Sequence, residues 1–292
     1  MTEAEGMPRV EQWEAGERAA APILRVRNLS KRFGGLLAIS GLSFDVREGS
    51  ITAVIGPNGA GKTTLFNLIS GLHKSDGGSI VFRDKRIDLM RPHEVPSLGI
   101  ARTFQNLSLY SNMTVLENVM AGRYTLSSSG LFTCALGTSR YRNEEKRIRE
   151  KAREWLGFMG IEGLAGRKVT EVPFESQRYV EIARAVAGEP DLILLDEPAA
   201  GLNITETQNL IHAVYKIREL GITVLIVEHD MDLVMEVSDT IVVLNFGEKI
   251  AEGPPREIRN DERVIAVYLG RSSRRDRDGP AEAGDRTRVG ID

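Results

Sequence analysis

The sequence predicts an α/β fold, a sheet of strands buried on both faces and linked by helices. Two observations carry this. "ITAVIG" (51–56), "DLILLDEP" (191–198) and "ITVLIVEHD" (222–230) are short, nearly continuous apolar runs. Runs of that kind belong to parallel strands covered on both sides, since strands with one wet face alternate instead. A helical pattern from about Thr205 to Leu220 joins the last two, and the order strand, helix, strand implies right-handed crossovers.

The remaining elements follow in chain order. "ILRVRNL" (23–29) and "LSFDV" (42–46) alternate and read as strands. A helix is expected from Lys62 through "TTLFNLISGL" to a glycine stop near Gly77 and Gly78. Then come a strand "SIVFR", a loop with Pro92 and Pro96, and a strand "IARTF" that ends at Gln105. From Thr114 to Gly160 helical patterns dominate, in "TVLENVMAG" and "RNEEKRIREKAREWLGFMG", with "SSSGLFTCALGTS" between them as loop or frayed helix. Another helix opens in "VPFESQRYVEIARAV" (172–186). The helical block is an insertion into the α/β core. Residues 1–21 and 271–292 are polar or of mixed charge and are expected to be disordered tails. The arginines 271, 274, 275 and 277 in the second are broken up by Asp276 and Asp278, as in a solvated tail rather than a lipid-binding patch.

Composition removes several function classes. With 292 residues, 41% hydrophobic and 27% charged, the chain has material for one large domain or two modest ones. A net charge of −3 gives no basic field, so nucleic acid is not the expected partner. The single cysteine, Cys134, excludes an internal disulfide framework. No apolar run approaches the roughly 18 residues of a membrane span, and the acidic N-terminus lacks the apolar region of a secretory signal. Work at a membrane would need another subunit to hold the chain there.

The chemistry sits at strand ends. "GPNGAGKTT" comprises Gly56, Pro57, Asn58, Gly59, Ala60, Gly61, Lys62, Thr63 and Thr64, between a strand and a helix. It fits the phosphate-loop pattern G-x-x-x-x-G-K-[ST] in its confirming context. Glycines let successive N–H groups turn inward around an anion, and the helix N-terminus adds positive potential. Lys62 then supplies a point charge to the outer phosphates and Thr63 a hydroxyl for Mg²⁺. Asp196, at the end of "LILLD", suits the same ion, and Glu197 beside it can polarise an attacking water. His229, in "VEHD", can reach a terminal phosphate; Gln105, at a strand–loop junction, can bind Mg²⁺ or water. In isolation each of these last two residues would be unremarkable.

Taken in order, the phosphate loop, "TFQN", "QRYVEIARAV", "LILLDEP", "AAGLN" and "VEHD" resemble the nucleotide-binding subunit of an ATP-binding-cassette (ABC) transporter, from about Leu24 to Gly270. The resemblance implies a P-loop NTPase with a RecA-like core, an antiparallel β subdomain and an α-helical signature subdomain. One ATPase domain would span 22–270, with its helical part at about 107–190. It implies ATP and Mg²⁺ as ligands, with Thr63, Gln105 and Asp196 around the metal and Lys62, Glu197 and His229 in catalysis. Phe33 matches the aromatic that stacks on adenine, and Ala200, Gly201, Leu202 and Asn203 match the D-loop. "GIARTFQN", "MTVLENVMAG", "DEPAAGLN" and "AVYLG" narrow the likeness to the larger ATP-binding subunit of branched-chain amino acid, amide or urea importers. Such a subunit would sit on the cytoplasmic face of a prokaryotic membrane. Its partners would be a sister ATP-binding subunit, two membrane-spanning permease subunits and, indirectly, an external solute-binding protein. Leu109, Tyr110 and Met113 would meet a permease helix near Gln105.

One segment departs from the family. The signature residues that face the partner's nucleotide correspond here to Pro173, Phe174, Glu175, Ser176 and Gln177. Glu175 stands where the family has a glycine whose N–H approaches the γ-phosphate. A carboxylate adds bulk there, and two unit charges about 4 Å apart repel by about 4 kcal/mol at a surface-like dielectric. Ser176 keeps a hydroxyl able to cap the helix. This departure implies an unequal pair of sites, one competent and one slow. A second reading makes the chain a nucleotide-binding regulatory module with weak hydrolysis; the intact Glu197 and His229 oppose it. A soluble translation or repair factor of the superfamily would join two cassettes or carry a long coiled coil, and neither is visible.

Overall fold

The computed structural model describes residues 21–124 and 139–275. The tail residues 1–20 and 276–292, Cys134, Arg277 and most of "SSSGLFTCALGTS" lie outside them.

Parallel strands β3 (Ile51–Ile55), β6 (Ile100–Arg102), β7 (Leu192–Asp196), β8 (Thr223–Val227) and β9 (Thr240–Asn245) form the main sheet, with β10 (Glu248–Gly253) antiparallel at one edge. Their order is β10-β9-β3-β8-β7-β6. Alternate residues serve opposite faces, the reason for the continuous apolar runs. On β3, Ile51, Ala53 and Ile55 join one buried cluster and Val54 joins the other.

The second sheet is antiparallel, ordered β2-β1-β4-β5, from β1 (Pro22–Phe33), β2 (Leu36–Arg47), β4 (Gly77–Phe82) and β5 (Lys85–Arg86). Helix α1 (Lys62–Ile69) lies between the two sheets, with Leu65, Phe66, Leu68 and Ile69 buried in the cluster they share. It ends earlier than the sequence predicts. The Ser70 hydroxyl donates to the Phe66 carbonyl, Gly71 turns left-handed at φ 73°, and Gly77 and Gly78 already belong to β4. Strand β6 likewise ends at Arg102, short of Phe104 and Gln105.

Between β6 and β7 lie α2 (Val115–Arg123), α3 (Ser139–Phe158) and α4 (Phe174–Val186). Thr114 and Glu117 form a capping box at the start of α2, so two orphan N–H groups are satisfied reciprocally. Where α2 crosses α4, a Cβ on Gly122 would lie 1.9 Å from the Arg184 carbonyl oxygen, so only glycine allows the approach. Helix α5 (Ile204–Glu219) connects β7 to β8 and is capped in the same reciprocal way by Asn203 and Glu206. The chain closes with α6 (Met231–Val237), α7 (Pro255–Asn260) and α8 (Glu262–Arg275). Helix α8 therefore continues past the boundary expected at Gly270.

Candidate nucleotide site

Parallel register brings the motifs together. Val54 of β3 pairs with Val227 of β8, and Asp196 of β7 also pairs with Val227. The loops after β6, β7, β8 and β3 consequently leave the same edge side by side, where open α/β sheets bind ligands.

The loop after β3 is shaped by its glycines. Gly56 has φ 151°, and a Cβ there would sit 2.2 Å from the Leu244 carbonyl oxygen; at Gly61, φ 105°, it would meet Ala38 O at 2.6 Å. The buried Lys62 ammonium donates to the carbonyls of Gly56 at 2.7 Å and Pro57 at 3.2 Å. Thr63 is exposed toward a cleft of about 840 Å³, which Phe33, Gln105, Glu197 and His229 also line. Phe33 is 42% exposed, its ring edge-on to His73 at 5.2 Å. The apolar wall beside it includes Leu36, Leu37 and Phe246.

Glu197 occupies a strained left-handed conformation, φ 48°, rare for a residue with a side chain. Its N–H donates to Val227 O at 2.9 Å. One carboxylate oxygen lies 2.5 Å from His229 Nε2 and the other accepts from the Gln105 amide at 2.8 Å. An ionised carboxylate only accepts, so this contact is a hydrogen bond when the imidazole carries its proton on Nε2. Gln105 is held by its backbone: its carbonyl accepts from Arg178 of α4 at 3.0 Å.

Asp196 lines an adjoining cavity with Thr63 and Gln105. Burial raises its carboxyl's pKa, opposed by Arg102, whose Nη2 lies 2.8 Å from Oδ2. Arg102 also donates to Asn67 of α1 and to Ser70, the residue that follows it. The other carboxylate oxygen, Oδ1, is buried with no hydrogen-bond partner. An orphaned anionic oxygen beside an exposed threonine hydroxyl and a glutamine amide fits a hard, oxygen-seeking cation such as Mg²⁺.

The signature segment lies elsewhere on the surface. Pro173 takes the N-cap of α4 and offers no side-chain cap, so Ser176, in the first turn, does not cap the helix as the sequence predicts. Gln177 donates to Val172 O at 3.0 Å. Phe174 is exposed and packs over Gly201, part of the turn Ala200–Asn203 before α5. The Glu175 carboxylate accepts from Asn209 of α5 at 3.4 Å and raises the pKa of the buried Tyr179 hydroxyl together with that hydroxyl's own burial, the larger effect. Of the proposed permease contacts, Tyr110 and Met113 are exposed, whereas Leu109 packs against the core. Tyr110 lines a cavity of about 390 Å³ with Leu72, Phe104 and Arg184.

Two residues inside quoted motifs to which the sequence reading gave no role, Arg102 of "GIARTFQN" and Glu228 of "VEHD", carry buried charged side chains at the site. Each is a charged residue at the end of an apolar strand, which is the one signal the sequence offers.

A glycine-lined anion loop, a buried carboxylate with a free oxygen and a carboxylate–histidine pair, all at the ends of parallel strands, define a phosphate-loop nucleoside triphosphatase. Residues 39–200 match the ABC transporter family, and residues 248–273 match the branched-chain amino acid ATP-binding cassette transporter family. The chain belongs to the ABC transporter family as an ATP-binding cassette, and it is an ATPase. It is 41% identical over 250 residues to the Salmonella typhimurium high-affinity branched-chain amino acid transport ATP-binding protein LivG, covering 85% of this chain and 98% of that one. Pseudomonas aeruginosa BraF, of the same description, is also 41% identical over the same shares. Among solved structures, a nucleotide-free ATP-binding cassette is similar at 36% identity and TM-score 0.75, covering 85% of this chain and 99% of that one. A cassette in its ADP conformation is similar at 35% and 0.74, covering 86% and 100%. The P-loop NTPase fold read from the sequence is therefore the observed one. Cassettes of this family work with membrane permease subunits. No helix among the described residues is long and apolar enough to cross a membrane itself.

Proposed function

We propose that this chain is the ATP-binding subunit of an importer for branched-chain amino acids or related amides, acting at the cytoplasmic face through two separate permease subunits and an external solute-binding protein. The observation that carries the proposal is the single cleft joining Lys62, Thr63, Gln105, Glu197 and His229, in a chain alike to LivG from end to end of that relative. The phosphate loop and Lys62 hold the triphosphate, and Phe33 stacks on the base. Glu197 orients the attacking water, and His229 Nε2 transfers its hydrogen bond from Glu197 to the terminal phosphate. Thr63, Asp196 and Gln105 would hold Mg²⁺, which would supply positive charge against that of the phosphates. Leucine-dependent ATP hydrolysis by the complex reconstituted with its permeases tests this; hydrolysis indifferent to leucine, isoleucine, valine and amides alike would refute the substrate assignment.

The partner cassette is a different chain. Pro173, Phe174, Glu175, Ser176 and Gln177 face that partner's nucleotide beside the D-loop residues 200–203, and Glu175 slows turnover there. The present fit of Glu175 against Asn209 supports a fold that tolerates the glutamate. Glu175→Gly in the reconstituted pair should raise hydrolysis. An unchanged rate would remove the asymmetry.

A further inference from the structure

Glu228 is almost wholly buried, at 3% exposure, and belongs to neither the phosphate loop nor the Glu197–His229 pair. It bonds to the backbone near each member of that pair. One carboxylate oxygen, Oε1, accepts the Ala199 N–H at 2.7 Å, and the other, Oε2, accepts the His229 N–H at 3.0 Å. Ala199 lies in the turn that carries Glu197, closed by Ala200 N–H to Glu197 O at 3.1 Å. His229 follows Glu228 directly. Each oxygen therefore fastens the backbone beneath one member of the pair whose side chains meet at 2.5 Å.

We propose that Glu228 is a positioning residue for ATP hydrolysis, a two-oxygen bracket that fixes the turn bearing Glu197 to the backbone of His229 and so sets the distance between their side chains. The physical need is clear. Glu197 is held in a left-handed conformation that relaxes unless its surroundings over-determine it. The fastening of Glu197 N–H to Val227 O fixes only one side of that turn. Glu228 fixes the other and ties it to the histidine strand end. Burial pushes the Glu228 carboxyl's pKa up, and the backbone N–H groups of Ala199 and His229 oppose that push; a carboxylate offers acceptors to both at once, through strong and directional bonds. Glutamine, of the same shape, has one acceptor oxygen and would turn an N–H₂ toward one of the two donors.

The inference rests on the ATPase reading, and its test separates the two. Glu228→Gln is compared with wild type by amide hydrogen exchange over residues 196–203 and 226–232 of the purified chain. In parallel, fluorescent trinitrophenyl-ATP binding and unfolding temperature are measured on that chain, and kcat and KM for Mg-ATP in the assembled transporter. Faster exchange in both segments is expected, with kcat down roughly 10–100-fold and KM and analogue affinity within about twofold. Adding Glu228→Gln to a His229→Ala variant should lower the remaining rate less than about twofold, since the bracket acts through that pair. Unchanged exchange, or an unchanged kcat, would overturn the bracket. So would a collapse of kcat, analogue affinity and unfolding temperature together. If the wild-type complex fails to hydrolyse ATP, the ATPase reading fails, and the exchange readout still decides the bracket.

Discussion

Glu197 divides its two oxygens between His229 and Gln105, and this arrangement fixes what single substitutions should do. Glu197→Gln keeps the shape, so ATP binding should survive while hydrolysis falls about 100-fold or more, measured by phosphate release beside equilibrium nucleotide binding. Arg102 makes a different prediction because its partner is buried. With the two side chains at 7% and 2% exposure, Arg102→Leu leaves Asp196 as an uncompensated charge. Such a loss costs about 3–5 kcal/mol, which urea unfolding would show as a lowered midpoint. A midpoint within error of wild type would mean that Asp196 takes up a proton or finds another partner.

At the scale of elements, the crossing of α2 over α4 depends on Gly122. Gly122→Ala puts a methyl group where a carbonyl oxygen already lies, so the helices must separate at a cost of about 1–3 kcal/mol, read as a lower unfolding temperature. The antiparallel sheet has a pH-sensitive fastening in the buried Asp88. Burial alone would raise its carboxyl's pKa, but Arg86 and the Ile80 N–H outweigh that and hold it below the ordinary aspartate value of 3.8. A group with a depressed folded pKa contributes stability above its unfolded pKa and loses it as pH falls through the folded one. Wild type should therefore lose more stability than Asp88→Asn does as the pH falls below about 4. Strands β3, β7 and β8 and helix α5 were legible because their buried runs and helical spacing are local properties. Strand β9 has the same kind of apolar run, "TIVVLN", but no motif there draws the reading to it. Arg102 and Glu228 were not legible. Arg102 meets Asp196 across 94 residues of chain and Glu228 meets Ala199 across 29, so nothing local in either segment records the pairing. The early stop of α1 has a local cause in Ser70 and Gly71, overshadowed in sequence by the glycine pair at 77 and 78.

At the scale of the whole molecule, the proposed assembly makes this chain one of two cassettes. Its cleft gathers the groups proposed to hold and attack a triphosphate, while Phe174 of α4 and Gly201 of the following turn are exposed. Phe104 lies between the metal-side cavity and the cavity lined by Tyr110 and Arg184, and it contributes to both. If the proposed permease contact falls on that second cavity, its movement would shift Phe104 and the adjacent Gln105, and with them the hydrogen bond to Glu197. The measurement that tests the account most directly is Mg-ATP hydrolysis by the purified chain, alone and with the second cassette, beside nucleotide affinity. The account predicts tight binding with little turnover alone, and robust turnover only for the pair. Fast turnover by the chain alone would show that Glu175 is no obstacle and that one competent site across an unequal pair is the wrong description.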